Sequence, residues 1–307
     1  MSATVLALVL TAAVIHAGWN LLAKTTGGDT RFALLTSLAV ALLWAPAGLW
    51  VAWREAGSYG ALQWSLIGLS GAVHVGYYVA LLSGYRHGDL SVVYPLARGT
   101  GPLITAVAAS LLLHEAPGWR GWAGVLGIVA GVLLLAGGPA LWRRLRGQDS
   151  AAAASPAERA RLRAGLRWGA LTGLFIAGYS VIDGYAVKRA QVSPIAIDYL
   201  GNLVRLPLTL LLLWLLPRRE PLARGLADAA RRLWRPALVI GAISPLSYVM
   251  VLYAARLAPL SQVAPAREVS MLFAALFAGS LLGERDRAAR LLGACCIVAG
   301  VAALATA

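Results

Sequence analysis

Hydrophobic positions in this chain come in long runs of about twenty residues, broken by short stretches rich in arginine, glycine and proline. A helical run of that length matches the roughly 30 Å hydrocarbon thickness of a bilayer. The pattern predicts ten spanning helices, over residues 3–23, 32–53, 61–84, 90–113, 118–137, 165–187, 193–216, 235–256, 261–282 and 288–306. The first run opens with MSATVLALVL, which lacks the basic stretch of a signal peptide, so it is expected to be a spanning helix and not a cleaved leader. The one long break, residues 140–164, is rich in alanine and arginine and is expected to be a solvated linker. It divides the chain into residues 1–139 and 165–307, with five runs in each part.

Composition agrees with this picture. Hydrophobic residues make up 59% of the 307 positions, charged residues only 13%, and mean hydropathy is +0.72. A soluble domain usually carries about 25% charged residues. The expected class is therefore an all-α integral membrane protein. The net charge of +14 does not indicate a nucleic-acid partner, because the basic residues gather in the gaps between runs. With the N-terminus outside, cytoplasmic gaps hold nineteen Lys and Arg and outer gaps hold five. That bias places the chain in the cytoplasmic (inner) membrane with both termini periplasmic. Cys295 and Cys296 adjoin within an apolar run and read as small buried hydrophobes.

The two parts echo one another. LSVVYP at 90–95 matches LSQVAP at 260–265, SLL at 110–112 matches SLL at 280–282, and IVAGV at 128–132 returns at 297–301. Glu115 matches Glu284, Tyr78 matches Tyr248, and Trp19 and Asn20 align with Tyr179 and Ser180. An odd number of spans per copy inverts the second copy, giving two inverted five-helix repeats. Such repeats exchange conformations about a site near the membrane midplane.

HAGWNLLAK, YPLARGTGPLITAVAASLLLHE, GWAGVLGIVAGVLLLAGG and APAREVSMLFAALFAGSLLGE resemble the first, fourth, fifth and ninth helices of the EamA-type branch of the drug/metabolite transporter superfamily. The resemblance covers nearly the whole chain and implies a secondary carrier. Many such carriers export amino acids, amines and other small metabolites. The second half departs from the family pattern at Asp183, Asp198 and Arg205.

Six charged residues fall deep inside the spans: Arg98, Arg205, Arg267, Asp183, Asp198 and Glu268. Each costs roughly 2.5–3.5 kcal/mol at a helix centre, so each should be paired or face water. Arg98 and Glu268 are repeat counterparts, 170 positions apart. Each lies about 12 Å into the membrane from opposite sides, so their Cα levels differ by only about 6 Å. They are expected to meet, as a structural ion pair or as part of a substrate site. Arg267 and Glu268 diverge on a helix and make poor partners; Arg267 either holds another carboxylate or reaches the outer surface. Asp198, Asn202 and Arg205, spaced i, i+4, i+7, share a face that lines a cavity or forms an internal hydrogen-bond ladder. Asp183 falls near the outer end of its span, where water can solvate it. Pro95, Gly99, Gly101 and Pro102 predict a broken fourth helix that presents Tyr94 and Arg98 to a cavity.

His74, Tyr78, Tyr248, Trp19, Asn20 and Tyr179 complete the candidate binding set. Their aromatic rings either attract an ammonium or simply pack. His16 and His74 have the chemistry for proton coupling, although packing serves them equally well. The small-residue pairs Gly127–Gly131 and Cys296–Gly300 point to close helix packing or a dimer face. The sequence contains no nucleotide loop, metal-ligand pair or nucleophile–base constellation, so no cofactor or metal is expected and an intramembrane enzyme is the weaker class. The leading expectation is transport of a small zwitterionic metabolite by a monomer or weak homodimer in contact with lipid. A flippase for a lipid-linked head group and a channel or regulatory subunit are the alternatives.

Overall fold

The structure, a computed structural model, describes residues 1–26, 29–136, 155–216, 221–277 and 287–307, and every regular element among them is helical. In chain order these are α1 (Ala3–Thr26), α2 (Thr30–Leu43), α3 (Ala45–Glu55), α4 (Ala61–His87), α5 (Leu90–Leu112), α6 (Gly118–Leu135), α7 (Pro156–Lys188), α8 (Pro194–Leu215), α9 (Leu222–Leu257), α10 (Leu260–Ala266), α11 (Ser270–Phe277) and α12 (Arg287–Thr306). Short 3-10 turns occupy Ala56–Ser58 and Arg267–Val269. Among the described residues, seven helices are long and apolar enough to cross a membrane, or eight if α2 and α3 cross as one bent span. Length and apolarity alone therefore do not reproduce ten spans. Arg98, two prolines and two glycines dilute the apolar content of α5. The expected span 261–282 is split by the Arg267–Val269 turn, and its last part, with the repeat residues at 280–282 and Glu284, lies outside the described residues.

Several expectations change. The second run is bent by 66° between α2 and α3, where Pro46 opens α3 and leaves no N–H for the preceding turn. The helix that breaks in mid-span is the one expected over 261–282, just beyond Pro265, whereas α5 stays one helix through Pro95 and Pro102. The basic stretch is not a linker throughout, because α7 begins inside it at Pro156. A capping box starts that helix: Ser155 Oγ accepts the Glu158 N–H at 3.2 Å, and Glu158 Oε2 accepts the Ser155 N–H at 2.7 Å. α9 likewise starts at Leu222, extending well before residue 235.

Many large apolar side chains are exposed, among them Trp53, Trp119, Leu42 and Leu111. Such a surface suits lipid contact, and tryptophans near helix ends match an interfacial belt. Cys295 is exposed and Cys296 half-buried, so the pair faces outward and not into the core; Gly293, Ile297, Gly300 and Leu304 take the inward side of α12. There α6 and α12 pack backbone to backbone. A Cβ on Gly131 would fall 2.5 Å from the Gly293 carbonyl oxygen, and one on Gly300 2.7 Å from that of Gly124. The small-residue motifs thus close a contact within the chain. The Met1 ammonium donates to the Leu304 and Ala305 carbonyls at 3.3 and 2.9 Å, which places both termini at one end of the bundle.

Candidate functional site

The turn between α10 and α11 carries the charged centre of the molecule. Glu268 is 1% exposed. Its Oε2 lies 3.0 Å from Arg98 Nη2, so the two repeat counterparts meet. Its Oε1 lies 3.7 Å from Arg267 Nη2. The expectation that Arg267 and Glu268 would be poor partners is therefore corrected in part. Their Cα–Cβ bonds diverge, but the long guanidinium arm swings back to ion-pair distance without reaching hydrogen-bond length. Arg98 Nη2 also donates to Ser270 Oγ at 3.4 Å. The Nε–H groups of Arg98 and Arg267 are buried and have no acceptor. Buried donors are normally satisfied, so each has capacity for an incoming oxygen.

A cavity lies on either side of this cluster. Arg98 stands in a cleft of about 390 Å³, open mouth included, lined by Asn20, Tyr77, Tyr85, Tyr94 and Thr172 among others. The cleft leads toward Tyr85, which is 41% exposed. Arg267 faces a smaller cavity of about 180 Å³ with His16, Ser247 and Tyr248. Of the candidate residues, Arg98, Tyr94 and Asn20 line the cleft, and Arg267 and Tyr248 line the smaller cavity. Sequence reasoning passed over Tyr85 and Thr172. Residues 77, 81 and 85 recur every four positions along α4, a stripe that could have revealed the tyrosines.

The remaining candidates lie elsewhere. His74 stacks on Tyr179 at 4.1 Å, and Tyr248 meets both rings edge-on, so these aromatics pack on one another. Tyr78 packs against Tyr77 with its ring centroid 5.4 Å away. Trp19 contacts His16 edge-on at 4.9 Å, with its indole N–H buried and unpartnered. Arg205 pairs with Asp198 at 3.1 Å, and Asn202 donates to the Ser37 carbonyl at 2.9 Å. That stripe pairs internally, apart from the buried Arg205 Nε–H, and lines neither of these two cavities. Asp183 is 1% exposed and accepts the Tyr248 hydroxyl; α7 continues past it to Lys188, so it is buried instead of solvated at a helix end.

Polar contacts tie helix ends together where α5, α7 and α9 finish. Glu115 accepts from Lys188 Nζ at 2.9 Å and from the backbone N–H groups of Leu260 and Ser261, both at 2.8 Å. Lys188 also donates to the Ala258 carbonyl at 2.7 Å, and Arg189 to that of Leu113 at 2.9 Å. Burial opposes the charge on Glu115, but Lys188 and the Ser261 and Leu260 N–H groups outweigh it and hold the carboxyl below the usual glutamate range.

Long apolar helices, a lipid-suited surface and a buried ionic cluster at the foot of a cleft define a multi-pass helical membrane protein. The profile of the EamA-like transporter family matches residues 3–137 and again residues 163–306. The chain belongs to that family of membrane transporters, within the drug/metabolite transporter superfamily. No curated protein sequence matches it. A solved structure titled "Crystal structure of protein" superposes with a TM-score of 0.72 over 99% of both chains at 18% identity, a likeness of fold alone.

Proposed function

We propose that this protein is a secondary carrier that moves a small, carboxylate-bearing zwitterion across the cytoplasmic membrane by alternating access. The observation behind the proposal is the charge balance at the cleft. Glu268 neutralises only one of the two guanidiniums beside it, which leaves room for one further negative charge. A substrate carboxylate supplies that charge and meets the unpartnered Nε–H groups. Its ammonium would sit among Tyr77, Tyr85 and Tyr94, where ring faces attract cations.

The reading includes ten crossings in two inverted repeats. The paired profile matches, the offset of 170 between counterparts and the neighbouring termini support it, since an even number of crossings returns the chain to one side. The nineteen-to-five distribution of basic residues supports periplasmic termini. Internal use of the small-residue motifs supports a monomer.

Counterflow in proteoliposomes tests the proposal. Vesicles loaded with unlabelled amino acids or amines, one at a time, should take up the labelled form of at least one amino acid transiently above equilibrium. Arg98→Gln should abolish the overshoot for that solute. Folded wild-type protein that shows no overshoot with any of them would overturn the reading.

A further inference from the structure

A second buried acid lies outside the cleft. Asp183 is 1% exposed, and its Oδ2 accepts the Tyr248 hydroxyl. Among the described residues, the other acids inside the spans have cations within ion-pair distance: Glu268 has Arg98 and Arg267, and Asp198 has Arg205. Asp183 has none.

The groups around it do not supply one. α4 presents Ser70 and His74, and His74 gives its Nδ1–H to the Ser70 carbonyl at 2.8 Å. α8 presents Asp198 and Arg205, whose charges largely cancel as a pair. α9 presents Tyr248, and α7 itself carries Tyr179 one turn away. α5 has Arg98 as its one ionisable group besides Tyr94, and α10 has none. An ionised carboxylate buried without a cation is expensive, and such a group exchanges a proton instead. Tyr248 connects this acid to the transport site, because its hydroxyl lies on Asp183 while the residue lines the small cavity beside Arg267.

We propose that Asp183 is a proton-binding site coupled to transport, with Tyr248 linking it to the Arg98–Glu268–Arg267 cluster. This rests on the carrier reading. The proton comes from water and lodges on a carboxyl oxygen. With Asp183 ionised, the four charged groups sum to zero; with it protonated, they sum to +1. In the second case the substrate carboxylate restores neutrality at the cluster, while its ammonium is held apart among the cleft tyrosines. Proton and carboxylate therefore bind better together than apart, and the effect is reciprocal.

Infrared difference spectra of the lipid-reconstituted protein across a pH series read the C=O stretch of protonated carboxylic acids. A titrating band should be present in the wild type, missing in Asp183→Asn, and displaced in Tyr248→Phe. Asn keeps the shape of Asp183 and an acceptor oxygen for Tyr248, and Phe removes only one hydroxyl, so two independent variants report on the site. The same band in Asp183→Asn, or no titrating band in the wild type, would overturn the proposal. In proteoliposomes, a pH gradient of one unit should sustain up to about tenfold accumulation of whichever labelled amino acid gives counterflow. Asp183→Asn should accumulate none, and accumulation that survives in it would overturn the coupling. If the wild type shows the infrared band but no counterflow at equal pH, the carrier reading fails and the proton site stands.

Discussion

Removing Glu268 should destabilise the protein more than removing Arg98, although the two are partners. The asymmetry comes from the third member of the cluster. Glu268→Ala leaves two guanidiniums facing one another, with side chains 16% and 8% exposed and no acid between them. Breaking a buried pair in this way typically costs about 3–5 kcal/mol. Arg98→Ala leaves Glu268 with Arg267 at 3.7 Å, and water from the cleft can enter the vacated space. That loss is nearer one charge-assisted hydrogen bond, about 1.5–3 kcal/mol.

The single variants should therefore differ by roughly 1–2 kcal/mol, and the double variant should lose less than their sum. Thermal unfolding at fixed detergent and lipid gives the ranking, and counterflow on the same samples separates stability from transport. Arg98→Ala as destabilising as Glu268→Ala would refute the three-membered cluster. Strictly additive losses would show that Arg98 and Glu268 do not interact in the membrane.

Glu115 is held below the usual glutamate range, so its stabilisation is present above the unfolded value of about 4.3 and fades as pH falls through the lower folded value; Glu115→Gln should lower the unfolding temperature at neutral pH and flatten the acid limb, and identical acid limbs would exclude this role. Asn202 is 2% exposed whereas Tyr85, on the cleft, is 41% exposed. In a background with both native cysteines replaced by serine, Tyr85→Cys should therefore react with a water-soluble maleimide much faster than Asn202→Cys, and equal rates would place the α8 stripe at water. Gly131→Leu should abolish monodisperse protein on size exclusion because its Cβ would fall 2.5 Å from a carbonyl oxygen, whereas Gly127→Ala, with 3.5 Å to spare, should fold; two well-folded variants would contradict the α6–α12 contact.

The helical class and the meeting of Arg98 with Glu268 were legible because both follow from simple periodicities. Apolar run length gives the helical class, and the offset between copies pairs the two charges. Irregular backbone was harder to read. The bend at Trp44 lies just before Pro46 and the turn at Arg267–Val269 just after Pro265, yet Pro95 and Pro102 sit in a helix that does not break. A proline removes one donor wherever it falls, and its neighbours decide whether the helix gives way. The start of α7 was legible in principle, since Ser155 and Glu158 have capping-box spacing, but the surrounding alanines and arginines resembled a linker. The role of the α8 stripe could not be read from spacing, because a polar face serves a cavity and a hydrogen-bond ladder equally well.

The short helix α10 gathers these observations into one physical argument. It has seven residues, all buried, and a helix of that length is not stable by itself. Its position must come from what holds its two ends. At its start, Glu115 accepts the N–H groups of Leu260 and Ser261, a negative charge placed where helix-end donors would otherwise be unpaired. At its other end, the chain passes directly into Arg267 and Glu268, which the cluster with Arg98 holds. Both anchors are ionic, and both join parts of the chain that lie more than a hundred residues apart. Apolar packing resists sliding only weakly in lipid, where tails offer helices the same contacts as neighbouring side chains. The ion pairs therefore supply the positional precision that packing does not. A substrate carboxylate arriving at Arg98 would compete with Glu268 for its guanidinium, and so would act on the same element that Glu115 holds at the far end.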